Sequence, residues 1–118
     1  MYLPRSKIEE IRSKHPDSIP AVVTADKHFR HTWRSSNGET GTVKLLMPTS
    51  ATLFNLRLYI LKILKNNNKN VTDAIYISDA LTGKIINTTC NTRVADIVDY
   101  YGRDGVLYLT LHGENAFG

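Results

Sequence analysis

An α+β fold is predicted by three observations. The stretch Thr52 to Lys65 contains no Gly or Pro and carries its apolar residues at helical spacing. Val106-Leu107-Tyr108-Leu109-Thr110-Leu111 alternates as a buried strand would. The remaining apolar runs fall into two strand pairs, one before the long helix and one after it.

Each element follows from local chemistry. Ser6-Lys7-Ile8-Glu9 has the pattern of a capping box, so a short helix is expected over residues 6–15, with Ile8 and Ile11 on one face and Pro16 stopping it. Pro20 to Val23 is apolar and β-branched and reads as a strand. Thr24 to Thr40 is polar and holds the turn signal Asn37-Gly38, after which Gly41 to Met47 resumes as a strand ended by Pro48.

Thr52 is the expected cap of the long helix. At about 100° per residue, Leu53, Leu56, Tyr59, Ile60, Ile63 and Leu64 fill one arc, and Phe54, Leu58 and Leu61 form a second. That exceeds what one sheet face needs, so either the helix is sandwiched or part of it serves a partner. Ala74 to Ile77 and Lys84 to Ile86 read as short strands around the Thr82-Gly83 turn. Val94, Ile97, Val98 and Tyr101 mark a short helix capped by Asn91 or Thr92.

Two hairpins flanking a long helix, with a last strand inserted centrally, is the order of a β-grasp sheet. Leu107, Leu109 and Leu111 are expected to face the long helix, with Val106 and Tyr108 on the other side beneath the N-terminal helix. The expected organisation is one domain over residues 1–118: a helix at 6–15, the β-grasp at 20–111 and a tail at 112–118.

Composition excludes several classes. The 118 residues are 42% hydrophobic with no run long enough to cross a bilayer. Met1-Tyr2-Leu3-Pro4-Arg5 is no signal peptide, and the single cysteine, Cys90, forms no internal disulfide, so a cytoplasmic protein is expected. A net charge of +4 favours anionic partners but lacks the pattern of nucleic-acid binding. His28-Phe29-Arg30-His31 has ligand-like spacing without further ligands, so no metal and no cofactor are expected. Cys90 with His112 could mimic a thiol nucleophile, yet Cys90 sits among Thr and Asn with no activating cation nearby. No glycine-rich phosphate loop occurs, and an enzyme is not expected.

Ile11-Arg12-Ser13-Lys14-His15-Pro16-Asp17-Ser18-Ile19-Pro20, Leu46-Met47-Pro48, Asp104 to Thr110 and Gly113-Glu114-Asn115-Ala116-Phe117-Gly118 together resemble the autophagy ubiquitin-like modifiers of the GABARAP type. The resemblance spans residues 8 to 118. It implies a ubiquitin-like β-grasp with a mixed sheet, and a carrier of its own carboxyl terminus. Gly118 would be activated, passed as a thioester and joined to phosphatidylethanolamine, with Glu114, Asn115, Ala116 and Phe117 read by the activating and conjugating enzymes and by a processing and deconjugating cysteine protease. A glycine terminus suits this, since it offers its carbonyl without side-chain obstruction.

The resemblance also implies a monomer, when unconjugated, that captures W-x-x-L-type peptides of cargo receptors at autophagosomal membranes by pairing them with a strand edge. Ile11, Pro20, Val22, Lys44, Leu46 and Val106 would form one pocket; Leu45, Met47, Pro48, Leu56 and Tyr59 would form the other. A protein-conjugated modifier of the sister system and an unconjugated adaptor are the alternatives. The chain departs from the pattern at its short start and at Ser18, Val43 and Ile63, which replace basic residues. Charge steering is therefore expected to be weak. Val106 replaces a larger aromatic, and the long Thr24–Thr40 segment carries Trp33, which could pack locally or mask a pocket.

Overall fold

The computed structural model describes residues 2–35, 40–72 and 74–113. The order is α1 (Arg5–Lys14), β1 (Ser18–Ala25), β2 (Thr42–Pro48), α2 (Leu53–Asn67), β3 (Ile75–Asp79), β4 (Ile85–Ile86), α3 (Val94–Tyr101) and β5 (Leu107–Gly113). The strands form one mixed sheet in the order β2-β1-β5-β3-β4. The last strand lies in the middle, parallel to β1 (Ala21 opposite Leu107) and antiparallel to β3. This is the α+β β-grasp arrangement, with the long helix on one face and α1 on the other.

The period-two pattern of β5 sorts the two cores. Leu107, Leu109 and Leu111 join Leu53, Leu56, Ile60 and Leu64 of α2 in the main core. Val106 and Tyr108 pack with Leu3, Ile8 and Val22, and Ile11 lies against this smaller cluster. The segment before α1 is tied down as well: the Leu3 N–H donates to the Tyr108 hydroxyl at 3.0 Å, and Arg103 stacks over the Tyr2 ring at 4.5 Å.

Capping departs from expectation twice. α1 begins at Arg5 behind Pro4, and no side-chain cap forms, so Ser6 lies inside the helix. Pro4 is itself the N-cap, in the extended geometry such positions adopt, and its carbonyl accepts from Lys7 and Ile8. α3 is preceded by Arg93 with no side-chain cap, leaving Asn91 and Thr92 outside that role. The carbonyls of Thr92 and Cys90 instead accept from the N–H groups of Leu53 and Phe54, donors at the start of α2 that have no partner within the helix. Thr52 caps α2 as expected, in a reciprocal box with Asn55. A two-residue turn at Asp104-Gly105, both with positive φ, leads into β5, which continues to Gly113 rather than stopping at Leu111.

Trp33 differs most from expectation. It is fully buried in the main core, and its indole N–H donates to the Val23 carbonyl at 2.8 Å. Asn67, the last residue of α2, donates to the carbonyls of Thr32 and Arg34. The segment is thereby held by an aromatic anchor on one side and an amide on the other.

Candidate functional site

β2 is an outer strand of the sheet, so among the described residues one of its edges has no strand partner. Its residues alternate in burial, with Val43, Leu45 and Met47 turned inward and Lys44, Leu46 and Pro48 exposed. A cavity opens on each side of this strand.

The first, of about 400 Å³, lies between α1 and the β1–β2 pair and is lined by Ile11, Pro20, Val22, Lys44 and Leu46, with Leu3 and Leu45. Five of the six residues assigned to the first pocket therefore meet around one space. Val106 does not line it: fully buried, it sits in the cluster beneath. Lys7, Glu10, Lys14 and His15 of the α1 segment, with Ala21, complete the wall. Glu10 is shared between Lys14 at 3.0 Å and Lys7 at 3.8 Å, and the Lys14 hydrogen bond and charge, then Lys7, hold its carboxyl below the ordinary range. With Lys44, three lysines against one glutamate make this rim cationic. The sequence reading credited Lys44 alone. The signal for the others was the i, i+3, i+4 spacing of Lys7, Glu10 and Lys14.

The second cavity, of about 360 Å³, lies between β2 and α2 and is lined by Val43, Lys44, Leu45, Tyr59, Ile63 and Asn66, closed by Arg34, Ser35 and Asn67. Of the residues assigned to the second pocket, Leu45 and Tyr59 are here. Met47 and Leu56 are buried in the main core, and Pro48 is exposed at the strand end; none of the three lines this space. The cavity is displaced toward the start of β2, and the segment held by Trp33 builds its end wall. Trp33 masks neither space.

Gly118 and Glu114 to Phe117 lie outside the described residues. The strand leading to them ends beside His112, whose Nε2 lies 2.8 Å from Ser78 Oγ and whose Nδ1 lies 3.3 Å from Asp26 Oδ2. Cys90 is not the partner of His112; its thiol bonds the Asn87 carbonyl and Thr92. Among the described residues no cluster suits a metal ion, and no helix is long and apolar enough to cross a membrane.

A β-grasp sheet of this order, with α2 on one face and α1 on the other, defines a ubiquitin-like fold. No family model matches the chain. It is, however, 32% identical to Autophagy-related protein 8 of Dictyostelium discoideum over 119 residues, covering 97% of this chain and 84% of that protein. The crystal structure of Trypanosoma brucei ATG8 superposes with a TM-score of 0.65 at 21% identity, over 96% of this chain and 87% of the other. The chain belongs to the Autophagy-related protein 8 family of ubiquitin-like autophagy modifiers.

Proposed function

We propose that this protein is conjugated through Gly118 to phosphatidylethanolamine and, once anchored on autophagosomal membranes, recruits receptors by capturing W-x-x-L-type peptides along β2. The observation that carries this reading is the pair of cavities on opposite faces of the unpaired β2 edge. An extended peptide added to that edge projects alternate side chains to opposite sides. Its aromatic residue enters the cavity against α1, and its aliphatic residue packs on the α2 side against Leu45 and Tyr59. The lysines on the first rim favour acidic residues beside the aromatic one.

Conjugation is an acyl transfer in which this chain is the cargo. Activating and conjugating enzymes turn the glycine carboxylate into a thioester, a far better acyl donor, and the lipid amine accepts it. A deconjugating cysteine protease reverses the link. The protein is cytoplasmic before conjugation and membrane-bound after it, and family membership with the Gly113-to-Gly118 segment supports this.

The test is intact-mass analysis of the protein recovered from membranes of starved cells, beside Gly118→Ala. A phosphatidylethanolamine mass on Gly118, absent from the variant, is expected. An isopeptide remnant on a lysine would move the protein to the protein-conjugated class, and an unmodified terminus would leave an adaptor. Titration of a W-x-x-L peptide against wild type and Leu46→Asp tests the groove separately.

A further inference from the structure

The sheet face that carries α1 is divided. One half is apolar and covered by α1 through Leu3, Ile8, Val22 and Tyr108. On the same face beyond it, the pairings place Ile85, Ser78, Thr110 and Thr24 side by side across four strands, with Tyr76 and His112 in the next row. A cavity of about 340 Å³ over this half is lined by Tyr76, Ser78, Gly83, Ile85, Thr110 and His112, among others.

Ser78 and His112 of this cavity line up with Asp26, which lies outside its lining, so three side chains from three strand segments form a relay. Asp26, just beyond β1, presents Oδ2 to His112 Nδ1 at 3.3 Å, and its other oxygen accepts the His28 N–H at 2.9 Å. A carboxylate only accepts, so with the imidazole proton on Nδ1 facing Asp26, Nε2 is left to accept from the Ser78 hydroxyl, whose Oγ lies 2.8 Å away. Tyr76 stacks flat on the imidazole, with centroids 4.5 Å apart and planes 8° from parallel. The ring is thus fixed in place, and the carboxylate behind it is oriented by a backbone donor. Nucleophile, base and orienting acid stand in the order that activates a serine.

We propose that Ser78 is a reactive, acyl-accepting serine whose substrates are short-chain carboxylic esters. In the reaction Ser78 Oγ bonds to the ester carbonyl carbon while its proton moves to His112 Nε2, and the carbonyl π pair moves onto oxygen. Collapse breaks the carbon–oxygen bond to the alcohol, which leaves with the proton from Nε2, and water then releases the acyl group by the same route. The imidazolium formed in each half is stabilised by Asp26, which acts as a positioning residue. Thr110, opposite Ser78 in register, lines the same cavity. Exposed Ile85 and the Tyr76 ring provide an apolar seat for a short acyl chain. This chemistry is independent of the peptide groove and of Gly118.

The full chain is incubated with a fluorescent fluorophosphonate, in which an Oγ–phosphorus bond forms as fluoride leaves, and separately with 4-nitrophenyl acetate. Wild type is expected to gain one adduct on Ser78, located by peptide mass spectrometry, and Ser78→Ala none. Asp26→Asn is expected to slow labelling roughly a hundredfold, as loss of base catalysis does. Because a merely structural Asp26 would leave the pH dependence of labelling unchanged, that profile is measured too; it is expected to change in Asp26→Asn and be restored in Asp26→Glu. Asp26 and Tyr76 contact His112, Asp79 lines the same cavity, and His28 lies beside the neighbouring Gly113. Circular dichroism melts confirm that each variant is folded. Absence of an adduct on folded wild type, or an adduct that persists in Ser78→Ala, overturns the proposal.

Discussion

Replacing Trp33 by phenylalanine tests whether the β1–β2 segment is part of the core or decoration upon it. The side chain is fully buried and its N–H donates to the Val23 carbonyl. Loss of such a bond costs about 1 kcal/mol. Phenyl is roughly 40 Å³ smaller than indole, and space left unfilled costs about 24 cal/mol per Å³, so the missing ring adds about 1 kcal/mol. Trp33→Phe should therefore destabilise the protein by about 2 kcal/mol, and Trp33→Ala by about 3–5 kcal/mol. Against a total stability of about 5–15 kcal/mol for a domain of ordinary size, both are large. The assay is urea unfolding followed by far-ultraviolet circular dichroism, since the variants lack the only tryptophan. Unchanged slopes with shifted midpoints are expected. The functional consequence follows from Arg34 and Ser35, which close the second cavity: peptide affinity should fall in Trp33→Ala. A loss of stability under about 0.5 kcal/mol in Trp33→Phe would place the indole outside the core and refute the reasoning.

Four further outcomes are expected. Leu46 is 43% exposed on the open strand, so Leu46→Asp should weaken peptide binding more than tenfold, about 1.4 kcal/mol, by isothermal titration, while unfolding stays within about 0.5 kcal/mol. Leu56→Ala should instead cost about 2–5 kcal/mol of stability, because that side chain is 1% exposed in the main core, and a binding loss there would report packing. The carboxyl of Glu10 is held low in the folded state by Lys14 and Lys7. Its contribution is therefore complete above the ordinary carboxylate range and lost as pH falls through the lowered value; Glu10→Gln should flatten that part of the acid limb of a stability–pH curve. Cys90 has its thiol drawn below the ordinary value by its hydrogen bonding with Thr92, side chain first and then backbone. Alkylation by iodoacetamide should consequently begin at lower pH than for a free thiol and shift upward in Thr92→Val.

Features resting on local periodicity were legible in the sequence. The alternation of Val106 to Leu111 sorted β5 between two cores, and Thr52 announced the start of α2 because its cap partner lies three residues away. Most of the first cavity was legible as well, since Pro20, Val22, Lys44 and Leu46 alternate on paired strands. Features that depend on pairing between distant segments were not. Trp33 lies in a polar stretch with no period, and only the packed core shows where its ring goes. Leu56 and Tyr59 share one helical arc, yet the first is buried and the second about half exposed. Ser78, His112 and Asp26 meet because β1, β5 and β3 lie side by side, and no spacing along the chain records that. The capping box at Ser6 was a sound local pattern overridden by Pro4.

The parallel pairing of β1 with β5 joins the first strand to the last, with Leu107 following Ala21 by 86 positions. A chain emerging from the ribosome can close the β1–β2 hairpin early and can coil α2, but the centre of its sheet stays vacant until the final strand has been synthesised. Until then β1 presents an edge that the finished molecule conceals, and the leucines of α2 lack the strand they pack on. Such long-range closure is slow and leaves nascent intermediates prone to association. Completion of the sheet therefore waits on the emergence of β5, and only then do the two cores on either side of it close.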